Sequence, residues 1–184
     1  MEIFKTSDSI GAWHYPGDSI IRIGNVPLFS GFMYSAVGSY ISHVWKIFDF
    51  RFNKFPPMLA MFIVAAAIYV NVFSHHYIWD FRYPILAVIG IMLSRTWVYY
   101  KIYEIHRRMP LLLALLLISL FIWFAENIAT YCKVWFYPSQ NNGWTLVSPS
   151  KITAWFLLMF ISFVLIAAIR KIKTPNESLH WTEN

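Results

Sequence analysis

The stretch from residue 111 to residue 138 limits what this chain can fold into more than any other. Fifteen uncharged and almost wholly apolar residues, 111–125, run directly into Glu126 and Asn127, and the stretch closes on Trp135-Phe136-Tyr137-Pro138. Continued to Tyr131, the run is long enough for a helix that crosses a bilayer. A carboxylate and an amide at the end of such a helix are costly in lipid, and polar groups kept at that depth point to function.

Composition places the rest of the chain in the same environment. Of 184 residues, 58% are hydrophobic and 13% charged, about half the ~25% charge of soluble domains. The net charge of +6 sits in short basic clusters between apolar runs. That is the pattern of membrane topology, and it argues against a nucleic-acid stripe. A single cysteine, Cys132, excludes an internal disulfide and any cysteine-based zinc knuckle. Residues 1–25 are polar and hold no apolar signal-peptide core.

The expected fold is therefore all-α: a polytopic membrane bundle of about five transmembrane helices. The predicted spans are 26–48, 58–73, 83–100, 110–131 and 152–169, with 1–25 as an extracytoplasmic lead, 26–170 as the membrane domain and 171–184 as a cytoplasmic tail. Lys46, Arg51, Lys54, Lys101, Arg107, Arg108, Arg170, Lys171 and Lys173 would share one side, nine basic residues against five on the other. Positive loops stay cytoplasmic, so the N-terminus is expected outside and the C-terminus inside. Gly31, Ser35, Gly38 and Ser42 fall on one face of the first span, where a neighbouring backbone is expected to approach closely.

Two stretches echo one another. Ile10-Gly11-Ala12-Trp13-His14-Tyr15-Pro16 and Cys132-Lys133-Val134-Trp135-Phe136-Tyr137-Pro138 share Trp-x-Tyr-Pro, and a glutamate precedes each: Glu2 and Glu126. Both copies would face the same way, as in a parallel repeat. Residues 1–7 would then be the tail of a helix whose body lies upstream. The alternative is that Trp and Tyr gather at membrane interfaces in any case, with Pro ending helices.

The block 26–41, the Trp-x-Tyr-Pro of residues 13–16, the Ala125-Glu126-Asn127-Ile128 run and Trp135-x-Tyr137-Pro138-x-Gln140 together resemble an uncharacterised family of bacterial multi-pass inner-membrane proteins. Its members are typically longer at the N-terminus, so the resemblance implies a short-start chain, a location and no chemistry. Residues 126–130 bear a fainter likeness to membrane carotenoid and isoprenoid hydratases. Ala129 stands where that pattern has glycine, and the doubled acidic pair is single.

Glu126 is the candidate general acid or proton carrier, with Asn127 orienting a substrate or water; the alternative is a structural carboxylate that pairs or caps. His75, His76 and Asp80 lie on the same outer side, where an interfacial loop is the plainer reading than a ligand set. If they meet Glu126, a polar outer pocket forms, rimmed by Trp13, Tyr15, Trp135 and Tyr137. Arg95 is expected to snorkel toward the cytoplasmic interface, and His43 and Asn71 to serve interhelical hydrogen bonds. Three functions fit: a protein with an outward-facing binding pocket, an enzyme acting on an isoprenoid or other long apolar lipid, and a small proton-coupled transporter. The partners implied are the bilayer and a lipid or small-molecule ligand, with no nucleic acid, metal or cofactor called for.

Overall fold

The computed structural model describes residues 1–17, 19–170 and 172–174. Among the described residues there are six α-helices: α1 (Glu2–Lys5), α2 (Phe29–Ile47), α3 (Met58–Ser74), α4 (Arg82–Leu93), α5 (Leu111–Tyr131) and α6 (Lys151–Ile169). Five short strands join them: β1 (Arg22–Ile23) with β2 (Val26–Pro27) in one hairpin, and β3 (Arg51–Asn53), β4 (Trp97–Ile102) and β5 (Ile105–Pro110) in an antiparallel sheet of order β3-β4-β5.

α6 is the axis. It packs on α5, α3, α2 and α4, and buries Phe156, Leu157, Met159, Phe160, Phe163, Val164 and Ala167. Apolar side chains all round a helix require that central place. α5 lies along it and buries Leu111, Leu115 and Ser119. At one end of the bundle the aromatic rings of Trp45, Phe52 and Phe163 meet, with centroids 5.0 to 5.8 Å apart. That cluster seats the three-stranded sheet against α2 and α6.

The all-α, five-span expectation is overturned here. Among the described residues, only α5 and α6 are long and apolar enough to cross a membrane; α3 and α4 are shorter apolar helices. The expected third span, 83–100, breaks after Leu93, and the chain becomes strand at Trp97. The cause is local. Ser94, Arg95 and Thr96 interrupt the apolar run, and Trp97-Val98-Tyr99-Tyr100 is made of β-branched and aromatic residues that suit a half-buried sheet. What reads as a basic link, 101–108, is the far half of a hairpin in which Tyr99 faces Arg108 and Tyr100 faces Arg107. Tyr103 turns it with φ +55.

The remaining helices fall where their apolar runs predict. Pro57 and Pro110 stand just before α3 and α5 with ψ near +132, extended residues that deliver the chain to each first turn. The small-residue face of α2 is not closely packed: a Cβ placed on Gly31 or Gly38 would meet nothing within 4 Å. Only Ser42 is engaged by a distant element, accepting from Arg170 Nη2 at 2.9 Å. Asn71 holds the α3–α4 turn rather than bridging helices, donating to Asp80 at 3.0 Å and accepting from the Phe81 N–H at 2.9 Å. His43 bonds its own helix through the Ser39 carbonyl.

The sheet end gathers charge. Asp49 pairs with Arg51 and with Lys173, each at 2.8 Å. Lys173 and Arg51 hold the Asp49 carboxyl below the usual carboxylate range against the opposing effect of burial. Of the expected cytoplasmic tail, Lys171 and residues 175–184 lie outside the described residues.

Candidate functional site

The two echoed segments meet. His14 and Phe136 exchange both backbone hydrogen bonds, each 3.1 Å, as an antiparallel pair. The two copies of the motif thus run past each other in opposite senses. The equivalence extends beyond the motif. Gly11 and Lys133 both take the left-handed conformation, with φ +53 and +58. After each, a backbone N–H closes on the preceding helix or turn: Ala12 to Lys5 at 2.9 Å and Val134 to Ala129 at 3.0 Å. In the second copy this is a Schellman cap on α5, completed by Lys133 N–H to Thr130 at 3.1 Å. The reversal brings Tyr137 back over Glu126.

Glu126 is 2% exposed. The Tyr137 hydroxyl donates to one carboxylate oxygen in a short hydrogen bond, and the Trp155 indole donates to the other at 2.8 Å. In the first copy, Trp13 and Tyr15 converge on Oε2 of Glu2, at 3.1 and 2.8 Å. Burial and the neighbouring carboxylates push both tyrosines well above the usual phenol range, so both stay protonated and donate.

These groups face one cavity of about 90 Å³, lined by both glutamates, both motif tryptophans and both motif tyrosines, with Met33, Lys151 and Trp155. Met33 and Trp155 each stand eighteen residues after their copy's tyrosine, at equivalent positions in the sequence. The Lys151 ammonium sits 4.1 Å from the centre of the Tyr137 ring, a cation–π contact that holds a positive charge beside Glu126.

The other expected site residues are placed differently. Asn127 does not face the cavity. Its amide donates to the Trp123 carbonyl at 2.8 Å and accepts from the Val147 N–H at 2.9 Å, which ties loop 138–150 to α5. His75, His76 and Asp80 form a neighbouring network instead of lining the cavity. Lys5 bridges to it, 2.7 Å from Nε2 of His76 and 3.4 Å from Nε2 of His75. Burial, with Lys151 and Arg82 nearby, lowers the Lys5 amine to about 8, and burial with Lys5 lowers His76. Burial works to raise Asp80, but bonds from Asn71 and the Arg82 backbone hold it low. Among the described residues no three His, Cys, Asp or Glu side chains form a metal-binding group.

Sequence reasoning passed over Met33, Lys151, Trp155 and Lys5. Met33 and Trp155 stand at one spacing from their motifs, but neither residue type marks itself as part of a site, and the position equivalent to Lys151 is Phe29, outside the cavity lining.

Comparison with known proteins supplies a family. Residues 1–163 match the model of the proteins of unknown function DUF817. This chain belongs to that family. The DUF817 chain is also similar to the uncharacterised protein YoaT of Bacillus subtilis strain 168, 40% identical over 173 residues. That match covers 94% of this chain and 65% of YoaT, so the chain spans just under two thirds of its relative's length. No solved structure matches. The resemblance to an uncharacterised family is thus borne out, and the likeness to carotenoid hydratases finds no support in these matches.

Proposed function

We propose that this chain is a multi-pass protein of the bacterial inner membrane whose polar pocket, at the end of the bundle away from the basic sheet, opens outward and binds a small molecule. The membrane part is supported by exposure. Only 28% of the apolar window of α5 and 39% of that of α6 are buried, whereas the core helix of a soluble protein hides most of its surface. α3 and α5 present Leu59, Ile63, Val70, Leu113, Leu116 and Phe121 outward, an apolar surface far beyond what soluble monomers tolerate. Lipid is the solvent that suits it. Orientation follows from charge, because the hairpin carrying Lys101, Arg107 and Arg108 suits the cytoplasmic side.

One observation carries the pocket: two carboxylates, each held by a protonated tyrosine and an indole N–H, face a single cavity across paired backbone segments. Such a cavity offers fixed acceptors, donors and aromatic walls to a ligand small enough to enter. Asn127 serves this arrangement from behind by fixing the loop. Both oxygens of Glu126 already accept hydrogen bonds, so toward a bound molecule it acts as a fixed acceptor.

Orientation can be tested with the native thiol. Cys132 is exposed and lies at the pocket end, so a membrane-impermeant maleimide should label it in intact spheroplasts. Glu104→Cys in the hairpin, with Cys132→Ser, should label only after the membrane is opened. The reverse pattern would place the pocket in the cytosol and end the outward reading. For binding, a library of small polar compounds screened by thermal shift in nanodiscs should give hits that Glu126→Gln and Trp155→Phe both weaken at least tenfold.

A further inference from the structure

Beside the pocket, Lys5 holds a buried amine between two imidazoles. Its side chain is 7% exposed. Phe4 seats α1 on the end of α3, its ring 5.2 Å from that of Phe73 and 5.9 Å from that of His76. That seat brings Lys5 Nζ to 2.7 Å from Nε2 of His76 and 3.4 Å from Nε2 of His75. The other nitrogen of His75 fixes its tautomer. Nδ1 lies 2.8 Å from the Asn71 carbonyl, which can only accept, so Nε2 of the neutral ring offers its lone pair to the amine.

Hydrogen-bond capacity bears on the state of that amine. An ammonium has three N–H groups to place and a neutral amine two. Among the described residues the two imidazoles are the hydrogen-bond partners of Lys5 Nζ, so a third N–H would be buried without a protein acceptor, which is costly. A neutral amine donates to both rings and keeps its own lone pair unshared. Charge agrees with this. Burial, Lys151 and Arg82 lower the amine to about 8 against the opposing effect of Asp80. At pH 7.5 roughly one amine in four is then free, against roughly one in a thousand for an ordinary lysine. A lysine in that state is a nucleophile.

Burial and charge narrow the electrophile. A side chain this enclosed admits only a small one. Lys151 and Arg82, which repel an ammonium here, attract any anion formed on the same nitrogen. Acyl donors leave a neutral amide and carbonyl compounds a neutral or cationic imine. Carbon dioxide is small and uncharged, and it turns an amine into an anion.

We propose that Lys5 is a carbamate site, where the amine takes up carbon dioxide and the product is held among His75, His76, Arg82 and Lys151. The nitrogen lone pair forms the new N–C bond while one C–O π pair moves onto oxygen. The nitrogen then gives a proton to Nε2 of His76, leaving a carbamate beside an imidazolium, and nothing is oxidised or reduced. His76 becomes a better base as its neighbour turns negative. Asp80 opposes the new charge, but its own is shared with Arg82 at 3.3 Å and Asn71 at 3.0 Å. The site stands whether or not the pocket binds a ligand.

The test uses the full chain in phosphatidylcholine nanodiscs at pH 7.5, equilibrated with isotopically labelled carbon dioxide and bicarbonate. Carbamates are trapped as ethyl esters with triethyloxonium and located by mass spectrometry. The labelled ester should appear on Lys5 at least tenfold above the exposed Lys46, Lys101 and Lys133. At pH 6.5 and the same carbon dioxide concentration it should fall at least threefold, as the free amine is withdrawn. His76→Phe, which keeps a ring against Phe4, should lower it by a similar factor. Arg82→Gln should lower it too, because a cation beside the carbamate is lost. Equal labelling of Lys5 and the exposed lysines would overturn the proposal. So would a Lys5 ester without the isotope, or wild-type yields in both His76→Phe and Arg82→Gln. The comparison among wild-type lysines decides the matter even where a variant fails to fold.

Discussion

The two halves of the pocket are built from one sequence pattern, yet they are held in different ways. Glu126 projects from a 21-residue helix, and its two donors come from separate elements: Tyr137 from the loop after α5 and Trp155 from α6. Glu2 projects from a four-residue helix, and its donors Trp13 and Tyr15 come from the same short segment 11 and 13 residues on. Glu126 therefore cross-links distant parts of the bundle, while Glu2 organises a local fold at the rim. A repeated motif fixes which groups meet. How firmly they are held depends on the length of helix behind them.

The sharpest way to break the comparison is to remove each acid. Glu126→Ala leaves two buried donors without an acceptor, at roughly 1–3 kcal/mol each, so a loss of about 4 kcal/mol is expected in denaturant titrations of the nanodisc-bound protein. Glu2→Ala should cost less than half as much. Equal losses would mean the halves are held alike. Removing one hydroxyl at a time sharpens the contrast: Tyr137→Phe should cost about 2 kcal/mol and Tyr15→Phe about 1, since the hydrogen bond lost at Glu126 is the more buried.

Lys5 gives the first half a pH dependence. Its amine is lowered to about 8 from 10.5. Between those values the unfolded chain holds a proton that the folded chain has released, so stability rises with pH across that window. After discounting for solvent screening, the rise should be about 1 kcal/mol, and Lys5→Met should flatten it. A fall in stability from pH 8 to 10 would contradict the placement of Lys5. The smallest expected effect concerns the turn. Gly11 takes the left-handed conformation without steric cost, whereas its counterpart Lys133 bears a Cβ there. Lys133→Gly should stabilise by roughly 0.5–1 kcal/mol and Gly11→Ala should destabilise by a similar amount, both read as shifts in the unfolding midpoint.

Hydrophobicity alone located α3, α5 and α6, because long apolar runs leave a chain few alternatives. It failed at 94–110 for a specific reason. Mean hydropathy treats Trp97, Val98, Tyr99 and Tyr100 as more of the same span, while their strand propensity and the polar break at Ser94-Arg95-Thr96 point to a hairpin. The expected close packing on Gly31 and Gly38 failed too, since small residues permit a near neighbour without supplying one. At the site, Glu126, Trp13, Tyr15, Trp135 and Tyr137 could be read because a motif was repeated. Trp155 and Met33 could not, as one aromatic or one methionine inside an apolar helix carries no local signal. Asn127 was legible as an expensive residue, but its partner Val147 lies twenty residues away in a loop without pattern.

His14 and Phe136 are paired although 122 positions apart in the chain. The second wall of the cavity also needs the first two turns of α6, which carry Lys151 and Trp155. Any molecule that settles between Glu2 and Glu126 ties together two segments that are far apart in the chain. Occupancy would then be felt as resistance of the whole bundle to unfolding, growing with the logarithm of ligand concentration.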